Sequence, residues 1–488
     1  MGGIFGLSHE PFNLPIIGFF SLPFAAFFWL YFTSKTSRSF FTGYFFGLGY
    51  FGLIFNWILQ PFLIEFGHNI LIALMGYLVF VGFLALFWGV AFYLAFRVTK
   101  SINSNKEKIL ILSIFLILME LTRSYILSGF PWGIISYAWI DTPAIIFVSW
   151  LGPYWFTALI LILGLTLFYP TILSYFLGTI FLMSFLFGSF VISKEEKKTD
   201  SDDFFIVRII QPSIKQKDKW KKENEEKNLG ILLSLSKKDP LPDLIVWPET
   251  SITWLPEENS LKLKDIASQI KAPLILGGLR LDRKEKKFFN SSFLIDKTGK
   301  IIESYDKSYL VPFGEYFPLS KFLGSINIFG TNKFFRNGFS AGRGLKVIDK
   351  ISIPPFVTLI CYESLFSNEI IGNIKGSNWL LNITNDAWFG KKGGPKQHLV
   401  VARMRALETN LPLIRVANNG ISAKINEMGK VVKYIPLNER GFLDVKIYKE
   451  KKLEKSYYRL IGKNISSYLL LCALIIILTI CFVRRKNL

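Results

Sequence analysis

Long apolar runs near both ends of the chain constrain its fold more than any other feature. The first 192 of the 488 residues contain several such runs with few charges, and a final run covers about residues 465–483. A helix of about 20 apolar residues crosses the ~30 Å hydrocarbon core of a bilayer. A buried core helix would explain one such run but not several. The sequence therefore predicts an integral membrane helical bundle.

We predict about eight transmembrane helices in this bundle. The first run is interrupted at Ser21-Leu22-Pro23, so both a single helix and a two-helix hairpin are consistent with it. The runs lie near residues 12–33, 39–57, 70–97, 109–127, 144–168, 170–192 and 465–483.

Residues 193–464 have the composition of a soluble domain, in which short apolar and β-branched runs alternate with polar or amphipathic stretches. This alternation is typical of an α/β sandwich. We therefore expect three segments: a helical membrane domain at 1–192, the soluble domain at 193–464, and a transmembrane helix with a basic cytoplasmic tail at 465–488. Examples of the predicted strands are the runs at residues 205–210, 244–247, 274–277, 293–295 and 356–360.

Basic residues in the short loops predict the orientation of the chain. Loops 58–69 and 128–143 contain no Lys or Arg, whereas the loops near residues 35–38 and 97–108 and the tail after residue 483 are basic. Basic short loops stay in the cytoplasm, while long domains cross largely regardless of charge. If the spans alternate, the soluble domain lies outside the cytoplasm.

The formal charge of +21 raises the possibility of nucleic-acid binding. The Lys and Arg residues are scattered, however, and no basic motif is interleaved with base-stacking aromatics, so we expect no nucleic-acid partner. Attraction to anionic phospholipid and a biased overall composition both explain the charge. The three His are not clustered and the three Cys form no CxxC pair, so we expect neither a metal site nor another cofactor.

Three reactive side chains follow predicted strands of the soluble domain. Glu249 comes shortly after the strand at 244–247, Lys307 follows the segment 301–304, and Cys361 directly follows the strand at 356–360. Taken singly, a Cys of this kind is more often a core residue, and a lone Glu or Lys is usually a surface charge. Strand ends, however, place side chains at a rim that a substrate can reach.

These residue types suit acyl transfer through a thioester. A thiol titrates near about 8.5, so it needs a base to become a good nucleophile at neutral pH. Glu249 can accept the thiol proton. Lys307 can stabilise the oxyanion of a tetrahedral intermediate, and the backbone N–H of Tyr362 can supply a second donor.

Several motifs, taken in order, resemble the apolipoprotein N-acyltransferase family, the membrane branch of the carbon–nitrogen hydrolase (nitrilase) superfamily. The resemblance extends over the whole chain, because the loop Gly129–Gly133 and the flanking spans fit the family as well. The motifs are Trp247–Glu249, Tyr305–Glu315, Cys361–Glu363, Asn385–Gly390, Gln397–Glu408 and Asn418–Ala423.

The resemblance implies a fold, a site and a reaction. The soluble domain should be an α-β-β-α sandwich, and Glu249, Lys307 and Cys361 should form a catalytic triad. Cys361 should take the sn-1 acyl chain of a phospholipid as a thioester and pass it to the N-terminal amine of a diacylglyceryl-modified apolipoprotein. The residues expected to support the triad are Tyr362, Glu315 and Glu363, and those expected at the lid or the substrate path are Trp220, Phe313, Phe130 and Trp132.

The resemblance also implies a multi-pass protein of the bacterial inner membrane with a periplasmic catalytic domain, acting as a monomer. Two other functions remain open at this stage. One is a membrane-anchored amidase of the same superfamily, with water as the acceptor. The other is a lipid transporter or membrane scaffold with an inert nitrilase-like domain, although the presence of all three triad residues argues against it. Within the spans, Glu120 and Arg123 are either functional or a simple ion pair.

Overall fold

The structure, a computed structural model, describes residues 1–33, 35–65, 67, 69–195, 203–258, 260–316, 338–448, 456–461 and 464–486. The chain divides into two units. We call the first the helical unit; it comprises Met1–Lys198, Lys392–Met404 and Lys455–Leu488. The second, the sheet unit, comprises Thr199–Lys391 and Arg405–Glu454.

The α-helices of the described residues are numbered in chain order. They are α1 (Gly2–Gly6), α2 (Pro15–Phe32), α3 (Thr36–Ile54), α4 (Leu59–Glu65), α5 (Ile70–Thr99), α6 (Asn105–Tyr125), α7 (Val148–Leu151), α8 (Pro153–Thr166), α9 (Ile172–Glu195), α10 (Gln216–Lys219), α11 (Glu225–Ser236), α12 (Leu261–Ile270), α13 (Ser367–Asn373), α14 (Gly393–Thr409), α15 (Tyr457–Ile461) and α16 (Ile465–Lys486).

Several of these helices have the length and composition of membrane spans. Among the described residues, three are long and apolar enough to cross a bilayer: Pro15–Phe32, Ile70–Thr99 and Ile172–Ser193. A fourth span is possible if Thr36–Ile54 and Asn56–Glu65, which meet at a bend of 61°, count as one. The protein is therefore a membrane protein, and the figure of about eight spans stays a prediction.

Two of the predicted apolar runs look different in the structure. The first run folds as the single helix α2, which continues through Pro23 and is not a hairpin. The run predicted at 144–168 is not one helix, because α7 ends at Leu151 and α8 begins at Pro153. Gly152 between them has φ +92, and a Cβ there would lie 2.6 Å from a ring carbon of Tyr458. This backbone conformation and this close contact both favour glycine and break the helix.

Close approach of the backbones holds α3 against α5. A Cβ atom on Gly43 would lie 2.5 Å from the backbone oxygen of Trp88, so glycine permits the contact. About two turns further along α3, Tyr50 stacks on the Trp88 ring with ring centroids 4.8 Å apart. α5 begins at a helix cap in which Asn69 Oδ1 accepts the backbone N–H of Leu71 at 3.1 Å.

Glu120 and Arg123 form a buried ion pair. Their side chains are each 1% exposed, and Arg123 Nη2 lies 2.7 Å from Glu120 Oε2. Trp88 Nε1 donates to Glu120 at 2.8 Å. Arg123 Nη1 donates to the backbone oxygens of Phe130 at 2.6 Å and Trp132 at 2.9 Å. The pair therefore ties α6 to α5 and to the loop Gly129–Gly133.

The sheet unit contains two six-stranded sheets in its described residues. The first has the order β12-β1-β2-β3-β4-β5 and the second has the order β11-β10-β9-β8-β7-β6. The strands are β1 (Phe204–Gln211), β2 (Leu244–Val246), β3 (Leu274–Asp282), β4 (Lys287–Ile295), β5 (Ile301–Asp306), β6 (Val347–Ile348), β7 (Phe356–Ile360), β8 (Trp379–Thr384), β9 (Leu413–Ala417), β10 (Ser422–Ile425), β11 (Val431–Ile435) and β12 (Gly441–Tyr448).

The central strands of each sheet are parallel and buried. β1, β2 and β3 pair in parallel in the first sheet, as do β7, β8 and β9 in the second. β7 and β8 are buried along their whole length. Strands covered on both faces read as continuous apolar runs, which explains why the sequence predicted β1, β2, β3 and β7. β8 and β9 were not among the strands named from the sequence.

A hydrophobic core holds α11 and α12 against the first sheet. Trp247, the residue directly after β2, is fully buried in this core, and its Nε1 donates to Ser236 Oγ at 2.9 Å. The two sheets are joined by a buried polar contact in which Ser422 donates to Gln211 Oε1 at 2.6 Å. The core consists mainly of Ile210, Leu232, Ile245, Trp247, Leu263, Ile266, Leu274, Leu276 and Phe293.

Candidate active site

Glu249 follows β2 and is held by three donors. Asn290 Nδ2 donates to its Oε1 at 2.8 Å, and the backbone N–H of Asn385 donates to its Oε2 at 2.8 Å. Lys307 Nζ lies 3.5 Å from Oε1. The carboxylate is only 8% exposed, so its orientation is fixed by hydrogen bonds rather than by solvent.

Lys307 follows β5 and lies between two carboxylates. Its Nζ is 2.9 Å from Glu315 and 3.5 Å from Glu249, and the side chain is 1% exposed. Burial by itself lowers the pKa of Lys307, but Glu315, Glu249 and Cys361 together raise it above its usual value. Lys307 is therefore a fixed cation at neutral pH.

Cys361 directly follows β7 and lies at a strained position. It has φ +51, a left-handed conformation that is uncommon for residues other than glycine. Such strain persists only where the surrounding structure imposes it. The residue is 7% exposed. The nucleophile candidate is thus held in a fixed orientation at the end of its strand.

The surroundings of Cys361 keep its thiol protonated at rest. Burial and the Glu249 carboxylate raise the pKa of the Cys361 thiol, while Lys307 and a hydrogen bond with Thr384 lower it. The net effect is a pKa above the ordinary value for cysteine. A thiol of this kind needs a base at the moment of attack, and Glu249, whose charge acts on the thiol, is the candidate base.

Glu363 joins the loop of Cys361 to the loop of Lys307. Its carboxylate accepts hydrogen bonds from the Tyr305 hydroxyl at 2.6 Å, from the backbone N–H of Ser308 at 2.7 Å and from that of Ile360 at 2.7 Å. Burial raises the pKa of Glu363, and these hydrogen bonds oppose that effect. Glu363 therefore holds the loop of Lys307 and the loop of Cys361 together.

The remaining predicted residues lie in different surroundings. In the sheet unit, Tyr362 is buried and its ring packs against Phe366 with centroids 5.3 Å apart. Trp220 is 44% exposed and Phe313 is 67% exposed. Exposed aromatic rings are available for an apolar ligand.

Phe130 and Trp132 lie in the helical unit. Trp132 is buried, and its Nε1 donates to Gln397 Oε1 at 3.1 Å. Phe130 is half-buried, and its ring packs against Phe55 with centroids 5.4 Å apart. The role of both residues in guiding a lipid stays a prediction.

Two polar residues of the site were not singled out from the sequence. Asn290 lies in the middle of β4, is 3% exposed, and donates to both Glu249 and Glu315. A polar residue inside an apolar strand was the available signal. Asn385 lay within a recognised motif, but its contact with Glu249 uses the backbone N–H, which no residue pattern reveals.

The geometry can support covalent acyl transfer. A buried thiol, a hydrogen-bonded carboxylate and a permanent cation come from three strand ends on two sheets. Such a set supplies a nucleophile, a general base and an oxyanion donor.

Comparison with known sequences gives two family matches along this chain. Residues 206–451 match the carbon–nitrogen hydrolase family, and residues 1–166 match the apolipoprotein N-acyltransferase N-terminal domain. The chain is 34% identical over 478 residues to the apolipoprotein N-acyltransferase of Rhizobium rhizogenes, covering 88% of this chain and 86% of that protein. It is 33% identical over 421 residues to that of Rickettsia prowazekii, covering 82% of each chain.

Comparison with solved structures finds members of the nitrilase superfamily. An amidase from Nesterenkonia AN1 covers 54% of this chain and 95% of its own, with a TM-score of 0.40 and 14% identity. A Saccharomyces cerevisiae member of branch 10 of the superfamily covers 51% of this chain and 92% of its own, with a TM-score of 0.39 and 20% identity.

Proposed function

We propose a residue-level reaction for this chain, which belongs to the apolipoprotein N-acyltransferase family. The protein is an acyltransferase that acylates the N-terminus of lipoproteins, with a phospholipid as donor and a diacylated apolipoprotein as acceptor. The observation that carries the assignment of roles is the convergence of Glu249 and Lys307 on Cys361, with all three side chains buried.

The first half-reaction forms the acyl-enzyme. Cys361 Sγ attacks the sn-1 ester carbonyl of a phospholipid while Glu249 accepts the thiol proton. The tetrahedral oxyanion is stabilised by Lys307 and by the backbone N–H of Tyr362. The bond between the carbonyl carbon and the glycerol oxygen then breaks. Glu249 returns its proton to that oxygen, so a lysophospholipid leaves and a thioester remains.

The second half-reaction transfers the acyl chain to nitrogen. The α-amine of a diacylglyceryl-modified N-terminal cysteine attacks the thioester carbonyl, and Glu249 accepts a proton from the attacking amine. The carbon–sulfur bond breaks, and the Cys361 thiolate regains a proton from Glu249. An amide forms, and the enzyme returns to its starting protonation state.

The supporting residues hold different parts of the site in place. Glu315 and Asn290 fix Lys307 and Glu249, since Asn290 donates to both carboxylates. Glu363 fixes the loops that carry Lys307 and Cys361. These contacts keep the reacting groups in place without solvent, which is how preorganised sites stabilise developing charge.

For the membrane arrangement we propose about eight transmembrane helices in the bacterial inner membrane and a monomeric protein. Residues 1–192 and 465–488 would span the bilayer, and residues 193–464 would form the catalytic domain in the periplasm. The support is the distribution of basic residues in short loops and the apolar helices of the helical unit.

Both substrates carry acyl chains, and this constrains how they reach Cys361. Exposing a chain to water costs about 0.8 kcal/mol per CH₂, so a whole chain costs on the order of 10 kcal/mol. We therefore propose an apolar, laterally open path between the bilayer and the Cys361 thiol. Phe130, Trp132, Trp220 and Phe313 are the residues we place along it.

A transfer assay on the full chain tests the proposal. Cys361→Ala should abolish N-acylation of a synthetic diacylglyceryl lipopeptide in the presence of phospholipid. Cys472→Ala is the matched control, because Cys472 is exposed on α16 and should retain full activity. N-acylation by Cys361→Ala at the wild-type rate would contradict the proposed nucleophile, and release of free fatty acid without transfer would favour an amidase-like hydrolase.

A further inference from the structure

A second buried lysine contacts the turn that carries Glu249. Lys219, the last residue of α10, is 3% exposed. Its Nζ donates to the backbone oxygen of Glu249 at 3.2 Å and to Thr250 Oγ1 at 2.5 Å. Both acceptors are uncharged, and among the described residues no salt bridge offsets the burial of this amine.

The turn at Glu249 and Thr250, to which Lys219 donates its hydrogen bonds, has a strained backbone. Thr250 has φ +44, which is uncommon for a β-branched residue. The backbone of this turn also lies very close to that of β3: a Cβ on Gly277 would lie 2.5 Å from the backbone oxygen of Pro248. Strained turns persist where surrounding contacts hold them. Lys219 supplies two such contacts from a separate element.

Charge balance gives Lys219 a second effect. Lys307 is the one cation in the triad, and it lies against two carboxylates, Glu249 and Glu315. These three groups carry a net charge of −1, which opposes formation of a thiolate at Cys361. A protonated Lys219 brings the set to neutrality. Glu249 and Cys361 both act electrostatically on Lys219.

We propose that Lys219 is a positioning residue for acyl transfer: it holds the Glu249 turn in place and, when protonated, favours formation of the Cys361 thiolate. The proposal rests on the proposed function, in which Cys361 is the nucleophile. It adds a charged group that lies outside the triad and touches no reacting atom.

The protonation of Lys219 should change within the working pH range of such an enzyme. Burial lowers the pKa of Lys219 to about 8, while Glu249 and Cys361 oppose this change. On its own helix, Lys217 is exposed and Asp218 is half-exposed. From α11, Glu225 lines the same small pocket as Lys219. Its carboxylate, however, accepts a hydrogen bond from Lys262 Nζ at 2.8 Å. The amine is therefore charged below about pH 8 and loses its charge above it.

Alkylation of Cys361 by iodoacetamide tests the proposal without any lipid substrate. We would measure its rate on the full chain in detergent by mass spectrometry, between about pH 6 and about pH 10, a range that spans thiol and amine titration. The variants are Lys219→Met, which removes the charge, and Lys219→Arg, which keeps it. Lys217→Met is the matched control, since Lys217 is an exposed lysine on the same helix.

Lys219→Met should be alkylated about tenfold more slowly than wild type near neutral pH, because losing one nearby opposite charge raises a pKa by about one unit or more. This difference should shrink above the pH at which Lys219 loses its proton. Lys219→Arg should be alkylated near the wild-type rate at neutral pH. At high pH it should still be alkylated faster than Lys219→Met. Lys217→Met should follow the wild-type curve.

Two results would overturn the inference. One is a Lys219→Met curve that coincides with the wild-type curve. The other is a difference in alkylation rate between the two proteins that does not change with pH, which would indicate that Lys219 acts through packing alone. N-acylation is measured on the same preparations, so the proposed function is tested separately. A wild-type protein that is alkylated normally but forms no acyl-enzyme would contradict the proposed function rather than the role of Lys219.

Discussion

The backbone N–H of Asn385 donates to Glu249 Oε2 at 2.8 Å, and this bond joins the ends of strands from two different sheets. Glu249 follows β2 of the first sheet, and Asn385 follows β8 of the second. Because Cys361 follows β7, the neighbour of β8, the same bond fixes the carboxylate relative to the thiol. The position of the proposed base, Glu249, thus depends on how the two sheets pack.

In the proposed mechanism, Glu249 is the base and Lys307 the cation in both half-reactions. Glu249→Gln should slow both by about 100- to 10,000-fold, since each needs proton transfer. Lys307→Met should slow both by about 100- to 1,000-fold through loss of oxyanion stabilisation. Single-turnover acylation and deacylation rates measure the two steps. The controls are Glu303→Gln, in β5, and Lys300→Met, just before it; the Glu303 side chain is partly exposed and that of Lys300 is exposed. If Glu249→Gln or Lys307→Met acylates at the rate of its control, the role proposed for that residue is refuted.

Glu363 is predicted to stabilise the fold and to hold the Cys361 loop in place. Glu363→Gln replaces a carboxylate oxygen with an NH₂ group that faces the N–H donors of Ser308 or Ile360. We expect it to lower the free energy of unfolding by about 1–3 kcal/mol and to reduce acylation by misplacing the Cys361 loop. Thermal unfolding in detergent measures the first effect. Glu285→Gln, at an exposed ion pair, should change stability very little, and equal stability of the two variants would contradict this role.

The buried pair in α6 is predicted to stabilise the helical unit. Glu120→Gln leaves the Arg123 guanidinium without its carboxylate in a site that is 1% exposed. Breaking one side of such a pair costs about 3–5 kcal/mol. The unfolding midpoint of the purified protein should fall clearly, whereas Lys106→Met, at an exposed position on the same helix, should leave it unchanged. A midpoint for Glu120→Gln within error of wild type would show that the pair contributes little.

The proposed topology is tested by reporter fusions. A reporter active only outside the cytoplasm should give a signal when fused after Asp203, and one active only inside should give a signal after Lys486. The reason is the asymmetry of Lys and Arg in the short loops. A cytoplasmic signal at Asp203 would overturn the periplasmic assignment of the catalytic domain.

Much of the site could be predicted because it depends on local sequence. Glu249 and Cys361 follow the buried apolar strands β2 and β7, and strands buried on both faces are easy to recognise. Lys307 follows β5, which is partly polar and partly buried. The family was also predicted from its motifs, and the comparisons confirmed it.

Long-range contacts could not be predicted in this way. The hydrogen bond from Lys219 to Thr250 joins residues 31 positions apart. The proposed electrostatic effect of Lys219 depends on its burial, which no local sequence pattern reveals. The membrane runs illustrate the same limit. Composition predicted one span at 144–168, but Gly152 and Pro153 divide it. The Gly-Pro pair was a visible break signal, while the contact of Gly152 with Tyr458 was not.

The intact mass of the protein tests the central claim most directly. Wild-type protein purified from membranes and incubated with phospholipid should gain the mass of one acyl chain, located on Cys361 by fragmentation. Adding a diacylglyceryl lipopeptide should remove that mass and leave a triacylated peptide. Cys361→Ala should show neither change. An adduct on another residue, or transfer that proceeds with no adduct on Cys361, would contradict the account.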